Sequence, residues 1–363
     1  MKVLLCSPKG NTGGIARWTT HILDYYAKNV KDIELRWCYA APSKRNMLAT
    51  TPKLIRTYFG LVNYIPFLRL LNKNLKEDHY DIVHFVSSGS ISLLRDIFTL
   101  LICKRKGVSS VVHFRFGRIP DILQQKNWEY RLIDYVIRHS SKTIVIDKSS
   151  YDALLSHGYK NIFILPNPLT PKINDIIDRN VNLKRQSRHL LFAGHCVPTK
   201  GIYELIDACK DIPNIHLTMV GICEENVKHD LKAKAGEGGK DWLEIKGDQP
   251  YEEVIKEMLQ CAIFVLPTYT EGFPNVIIES MACGCPIITT PVGAIPEMLN
   301  IGTDSQCGIL VPVRDASSLK GAIINILSSY KLSEELGQRA KERVNSEYAM
   351  PIIWKKLSII WSA

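Results

Sequence analysis

The feature that most restricts the fold of this chain is a repeated alternation of short apolar runs with stretches long enough for a helix. Six runs, at 2–8, 33–39, 81–86, 109–115, 142–147 and 161–167, fill the first half. Six more, at 189–195, 216–222, 242–247, 262–268, 286–293 and 308–312, fill the second. Runs that are apolar at nearly every position suit strands of a parallel sheet covered on both faces. Helical stretches between them, such as Ser92–Lys106 and Trp128–His139, supply the crossovers. The alternation predicts doubly wound α/β architecture. Its restart after a polar, proline-bearing stretch at 166–180 predicts two Rossmann-like domains. Ligands of such sheets bind beyond the carboxyl ends of the strands, so two facing sheets would share a cleft.

No apolar run approaches the roughly 18 residues needed to span a bilayer. The opening MKVLLCSPKGNTGG is too short in its apolar part for a secretory segment and reads as a first strand, so a cytoplasmic location is expected. Ten cysteines in a chain of 363 residues without a leader are expected to be reduced. Cys283 and Cys285 form a CxC with no second ligand pair nearby, and core packing is the simpler reading. Charge is uneven, about +13 over residues 1–180 and −3 over 181–363. A basic first half favours an anionic surface or ligand, and without a recognised binding motif nucleic acid is not expected. Within Thr51–Lys76, Leu54, Tyr58, Leu61, Ile65, Leu68 and Leu75 recur at roughly helical spacing, accompanied by Lys53, Arg56, Arg69, Lys73 and Lys76. Pro66 would kink or divide this stretch. It reads either as helices packed on the first sheet or as a basic amphipathic patch touching anionic lipid.

The most informative segment is EGFPNVIIESMACGCPIITTPVGAIPE, from Glu271 to Glu297. It follows an apolar strand and opens a helix near Pro274. Free backbone N–H groups of Gly272, Phe273, Asn275 and Val276 would form a seat for a diphosphate there. Glu271 precedes this helix and Glu279 lies within it, eight residues on, which spans roughly 12 Å. That is about the reach from a donor sugar to its nucleoside ribose, and each carboxylate can accept hydroxyl hydrogen bonds.

In these residues the chain resembles the retaining glycosyltransferases of family 4, which have the two-domain GT-B fold and carry such a carboxylate pair. The resemblance extends over essentially the whole chain, more loosely in the first half. It implies a first, acceptor-binding domain over 1–170, joined by a C-terminal helix at 350–363, and a nucleotide-sugar-binding domain over 171–349. FAGHCVPTKG at 192–201 resembles the family's phosphate loop, with Lys200 matching its lysine and His195 standing where arginine is usual. A neutral imidazole offers one donor where arginine offers a cationic fork. Gly13 and Gly14, in KGNTGGIAR, lie where the family places a glycine pair beside the donor phosphate. His113 resembles the family histidine that contacts the donor sugar. Arg115 and Arg118 follow it, able to meet an anionic donor or acceptor.

The implied site is therefore catalytic through His113 and Glu271, and donor-binding through Gly13, Gly14, His195, Lys200, Gly272, Phe273, Pro274, Asn275, Val276 and Glu279. No DxD-type pair is present to hold a divalent ion, so neither a metal nor a cofactor is expected. The expected reaction moves a hexose or N-acetylhexosamine from a nucleotide-sugar, UDP-linked on family precedent, to a saccharide or lipid-linked saccharide. Bacterial-type surface polysaccharide synthesis, with peripheral contact to the inner membrane face through 51–76, would suit the basic first half. The same fold also hosts sugar-nucleotide epimerases, and a non-catalytic nucleotide-sugar-binding protein is a third reading.

Overall fold

A computed structural model of the chain describes residues 1–10, 13–40 and 64–363. The chain divides into two compact units, Met1–Pro168 with Ile353–Ala363, and Leu169–Ile352. Each of the twelve apolar runs contains a strand. In the first unit they are β1 (Lys2–Ser7), β2 (Glu34–Tyr39), β3 (Ile82–Ser87), β4 (Ser109–Phe114), β5 (Lys142–Val145) and β6 (Ile162–Ile164). In the second they are β7 (His189–Ala193), β8 (His216–Val220), β9 (Leu243–Gly247), β10 (Ile263–Leu266), β11 (Ile287–Thr289) and β12 (Ile309–Leu310). Both sheets are six-stranded, ordered β2-β1-β3-β4-β5-β6 and β12-β11-β10-β7-β8-β9. All of their pairings are parallel. Strand order reverses between β1 and β3 in one sheet and between β7 and β10 in the other. A doubly wound sheet opens a crevice at that point, beyond the carboxyl ends.

Alternating residues give the inner strands β1, β3 and β4 two buried faces. On one, Leu4, Val83, Phe85, Val112 and Phe114 pack with Phe67, Leu71 and Leu75 of the Tyr64–Glu77 helix and with Leu93, Leu100 and Cys103 of the Ser92–Lys106 helix. On the other lie His84 and His113, against Trp18 of the Gly14–Asn29 helix. The Met350–Ser362 helix completes this second face. Trp361 Nε1 donates to His84 Nδ1 at 3.0 Å, Lys142 Nζ donates to the Ile360 carbonyl at 2.7 Å, and Trp354 stacks near Tyr25 and Tyr26. Both tryptophans are buried, so their indoles serve packing.

Two expectations change. Residues 51–63 of the amphipathic stretch lie outside the described residues. The remainder is one helix, Tyr64–Glu77, with Pro66 in its first described turn, where a missing N–H is tolerated. Its buried stripe is Phe67, Leu71 and Leu75, while Ile65 points outward at 46% exposure. The stretch at 166–180 is not wholly linker either: Lys172–Arg179 is a helix that buries Ile173 and Ile176.

Candidate functional site

The carboxyl edge of the second sheet assembles the chemistry. After β7 the chain turns through Gly194 and a short 3-10 turn, Pro198–Lys200, before Gly201 starts the Ile202–Cys209 helix. Gly201 has φ +68°, and a Cβ there would overlap the Pro267 carbonyl oxygen. Only glycine lets the loop after β7 close on the loop after β10. Tyr269 N donates to the Thr199 carbonyl at 2.8 Å, and Thr268 Oγ1 donates to the same oxygen at 3.2 Å. These bonds bring Lys200 against Glu271, and the ammonium donates to Glu271 Oε1. The side chains keep 22% and 17% of their surface exposed, so the pair is reachable from solvent yet largely shielded.

A second glycine fixes Glu271 from the other side. Gly293 has φ +55°, and a Cβ there would meet the carbonyl oxygens of Glu271 and Gly272. Ala294 N donates to the Gly272 carbonyl at 2.9 Å. Pro274 then caps a helix that starts at Asn275 and runs to Ala282, with no side-chain cap and no acid in its first turn. The positive end of its dipole therefore faces the crevice without a carboxylate to neutralise it. Phe273 and Pro274 are buried, Phe273 packing edge-on against Tyr348 at 5.8 Å, while Gly272, Asn275, Val276 and Glu279 are half-buried.

Sequence reasoning did not single out the residues that support this edge. Tyr269 Oη donates to Glu204 Oε1 at 2.6 Å, and the Arg314 guanidinium lies 4.7 Å over the Tyr269 ring. Burial, then the Glu204 bond, push the Tyr269 phenol up to about 12, so it stays a donor at neutral pH. Thr199, Thr268, Tyr269 and Gly293 carry no motif of their own. The positive-φ demand at Gly201 and Gly293 could have pointed to the close approaches. His195 lies on the same edge but is exposed.

In the first unit, Gly13 caps the Gly14–Asn29 helix at φ 82°, and the space beside Gly14 is open. His113 is fully buried, with its ring edge-on to Trp18 at 5.0 Å and tilted against His84 at 5.4 Å. Burial, with the nearby Arg115 charge second, holds its pKa well below the ordinary imidazole value, so the ring is neutral. His84 is likewise driven down to about 3, burial being the larger cause and Arg115 the smaller. Arg118, by contrast, is committed within the fold: it clasps both oxygens of Glu129 at 2.6 and 2.7 Å and donates to Ser90 Oγ.

Cys283 and Cys285 are buried; Cys261 Sγ lies 3.8 Å from Cys285 Sγ, and Arg185 donates to the carbonyls of Cys261, Cys283 and Gly284. Among the described residues no group of three or more His, Cys, Asp or Glu side chains converges as metal ligands, and no helix is long and apolar enough to cross a membrane.

Residues 174–343 match the family described as Glycosyl transferases group 1. CapM, a capsular polysaccharide biosynthesis glycosyltransferase of Staphylococcus aureus, is 30% identical over 183 residues, 47% of this chain and 45% of the relative. The matched region spans less than half the length of this and other curated relatives it matches. Among solved structures, sucrose-phosphate synthase of Thermosynechococcus elongatus superposes with a TM-score of 0.76 at 18% identity, covering 99% of this chain and 98% of that one. Anabaena HepE, solved in complex with UDP, gives 0.72 at 15% identity and covers both chains completely. The chain therefore has the GT-B fold of these proteins, and its second unit carries the match to the group 1 glycosyl transferases.

Proposed function

We propose that the chain is a retaining, metal-independent glycosyltransferase that takes a hexose or N-acetylhexosamine from a UDP-sugar for synthesis of a surface polysaccharide. The observation that carries the reading is the Lys200–Glu271 contact, set beside an uncapped helix start where the strand order of the second sheet reverses. A cation, a helix N-terminus and a carboxylate together meet the needs of a nucleotide-sugar: charge for the diphosphate, acceptors for hydroxyls. The UDP complex of HepE and the capsular role in the name of CapM support the donor and the pathway class.

On this reading Lys200 and the Gly272–Val276 backbone hold the diphosphate, Glu279 the ribose and Glu271 the sugar. Donor binding draws Lys200 from Glu271 onto phosphate, which releases the carboxylate for the sugar hydroxyls. The acceptor hydroxyl attacks the anomeric carbon from the leaving-group face. The bond to the diphosphate breaks, its negative charge gathers under Lys200 and the helix dipole, and the departing phosphate takes the proton. Orientation and leaving-group stabilisation supply the rate.

Peripheral contact with an anionic membrane belongs to the same proposal. Outward-facing Ile65, Leu70, Phe98 and Leu101 lie on the Tyr64–Glu77 and Ser92–Lys106 helices. A groove of about 530 Å³ between these helices is lined by Ile65 and Leu68 together with Arg69, Lys76, Arg105 and Lys106. Apolar side chains ringed by cations suit an interfacial seat, at about 1 kcal/mol per basic residue near an anionic surface.

The test incubates UDP-, GDP- and ADP-sugars with the protein and a glycolipid extract in EDTA, and scores nucleotide release and the anomer formed. Release from one donor that needs the extract and disappears in Glu271→Ala is expected. Release without any acceptor would instead indicate an epimerase, and donor binding without turnover a binding protein.

A further inference from the structure

Three residues of β4 and its exit, Val111, His113 and Arg115, lie at alternate positions along one face of the first sheet. The first two are fully buried beneath the Gly14–Asn29 helix. Arg115 stands just past the strand, its backbone N–H bonded to the Ser87 carbonyl at 3.0 Å, so it sits at the carboxyl edge next to β3. Its guanidinium lies 4.9 Å over the Trp18 ring.

Three other guanidiniums of this chain are committed within the fold. Arg95 pairs with Asp96 and donates to the Ala40 and Val86 carbonyls. Arg118 clasps Glu129. Arg185 donates to three carbonyls. Arg115 forms no ion pair among the described residues, and its Nη1 is shielded from water without a hydrogen-bond partner. Burial alone draws its pKa down to about 9, and no carboxylate opposes that shift. Trp18 Nε1, Arg17 Nε, His84 Nε2 and both ring nitrogens of His113 are also shielded and unpartnered. The neighbourhood thus offers more donors than acceptors, the neutral His113 ring supplying one of each. Arg115 is half-buried, and a charge partly withdrawn from water without a counter-ion is disfavoured. A ligand oxyanion would offset that cost, and its two oxygens fit the guanidinium fork.

We propose that Arg115 is the anion-binding residue of the first unit, and that it holds a phosphate or carboxylate group of a substrate beside Trp18 at the carboxyl edge of the first sheet. The assignment of that group to a substrate rests on the glycosyltransferase reading. The anion could be the donor's diphosphate or an acidic group of the acceptor, and the experiment separates the two.

Arg115→Met removes the charge but keeps bulk over Trp18, and Arg115→Lys keeps the charge but loses the fork. Thermal unfolding and calorimetric titration would be run on the whole chain with inorganic pyrophosphate and with UDP, and transfer kinetics with the acceptor extract. The expected result is that Arg115→Met melts no lower than the parent, because an unpaired charge has gone. Either its pyrophosphate and UDP affinities fall at least tenfold, which identifies the donor, or they hold and the acceptor KM rises at least tenfold, which identifies the acceptor. Arg115→Lys should lie between parent and Arg115→Met on whichever measure moves. A lower melting temperature with all affinities and KM values unchanged would overturn the proposal and make Arg115 a packing residue. Unchanged melting, affinities and KM would overturn it equally. If no transfer is detected for the parent, a tenfold fall in pyrophosphate affinity upholds the anion site and unchanged affinity overturns it, so failure of the glycosyltransferase reading is separable.

Discussion

Replacing Glu271 by glutamine should tighten binding of free UDP while abolishing transfer. Lys200 and Glu271 each keep only about a fifth of their side-chain surface exposed, 22% and 17%. A charge-assisted hydrogen bond contributes about 1.5–3 kcal/mol when shielded, and the residual solvent access places this one near the lower end. On the proposed mechanism the diphosphate must take Lys200 from that partner. Removing the carboxylate's charge should therefore recover about 1.5 kcal/mol, which is about tenfold in Kd. Turnover should move the opposite way, because the amide keeps only one acceptor oxygen and no negative charge for the sugar hydroxyls. Calorimetric titration of UDP into the parent, Glu271→Gln, Lys200→Ala and the double variant, at fixed ionic strength and in EDTA, isolates the coupling. Lys200→Ala should weaken UDP, and the double variant should show none of the glutamine gain. If folded Glu271→Gln binds UDP no tighter than the parent, the ion pair does not compete with phosphate and the reasoning fails.

Other expectations follow from the packing. Gly293→Ala forces a Cβ against the Glu271 and Gly272 carbonyls at a positive φ, and should cost more than about 2 kcal/mol in urea unfolding together with most of the activity. The first unit should weaken in acid. His84 is held uncharged, with its folded pKa near 3 against 6.5 unfolded, so its contribution is complete above pH 6.5 and is lost as pH falls toward 3, at about 1.4 kcal/mol per pH unit. Urea midpoints at pH 7.5 and pH 5 should differ accordingly, and His84→Asn should flatten the slope. Co-sedimentation with phosphatidylglycerol vesicles should fall in Arg69→Glu/Arg105→Glu and persist in parent protein, while neutral vesicles should capture neither.

The strands were legible because a sheet covered on both faces leaves little room for polar residues: Ile82 to Ser87 is buried at every position, and four of its six residues are apolar. Strand ends were less legible. Only Ile309–Leu310 of the 308–312 run is a strand, paired with β11 through two residues. In the Tyr64–Glu77 helix, the apolar spacing alone did not say which of two apolar stripes faces inward. Packing against the Ser92–Lys106 helix settles it in favour of Phe67, Leu71 and Leu75. The site divides similarly. A helix start at an apolar strand exit is local, and residues 271–279 announce it. The Lys200–Glu271 contact joins positions 71 apart through two glycine turns whose meaning emerges only once β7 and β10 are neighbours. Arg115 and Arg118 look alike in sequence, and only the placement of Glu129 separates the committed guanidinium from the unpaired one.

The helix that returns from the second unit to the first sets an order of events during synthesis. The face of the first sheet bearing His84 closes with Trp361, which leaves the ribosome only after the whole of Leu169–Ile352. At about 5–20 residues per second that wait is on the order of 10–40 s. The unit translated first is thus the one finished last, and until then it offers nascent-chain chaperones an apolar surface that the mature protein does not show.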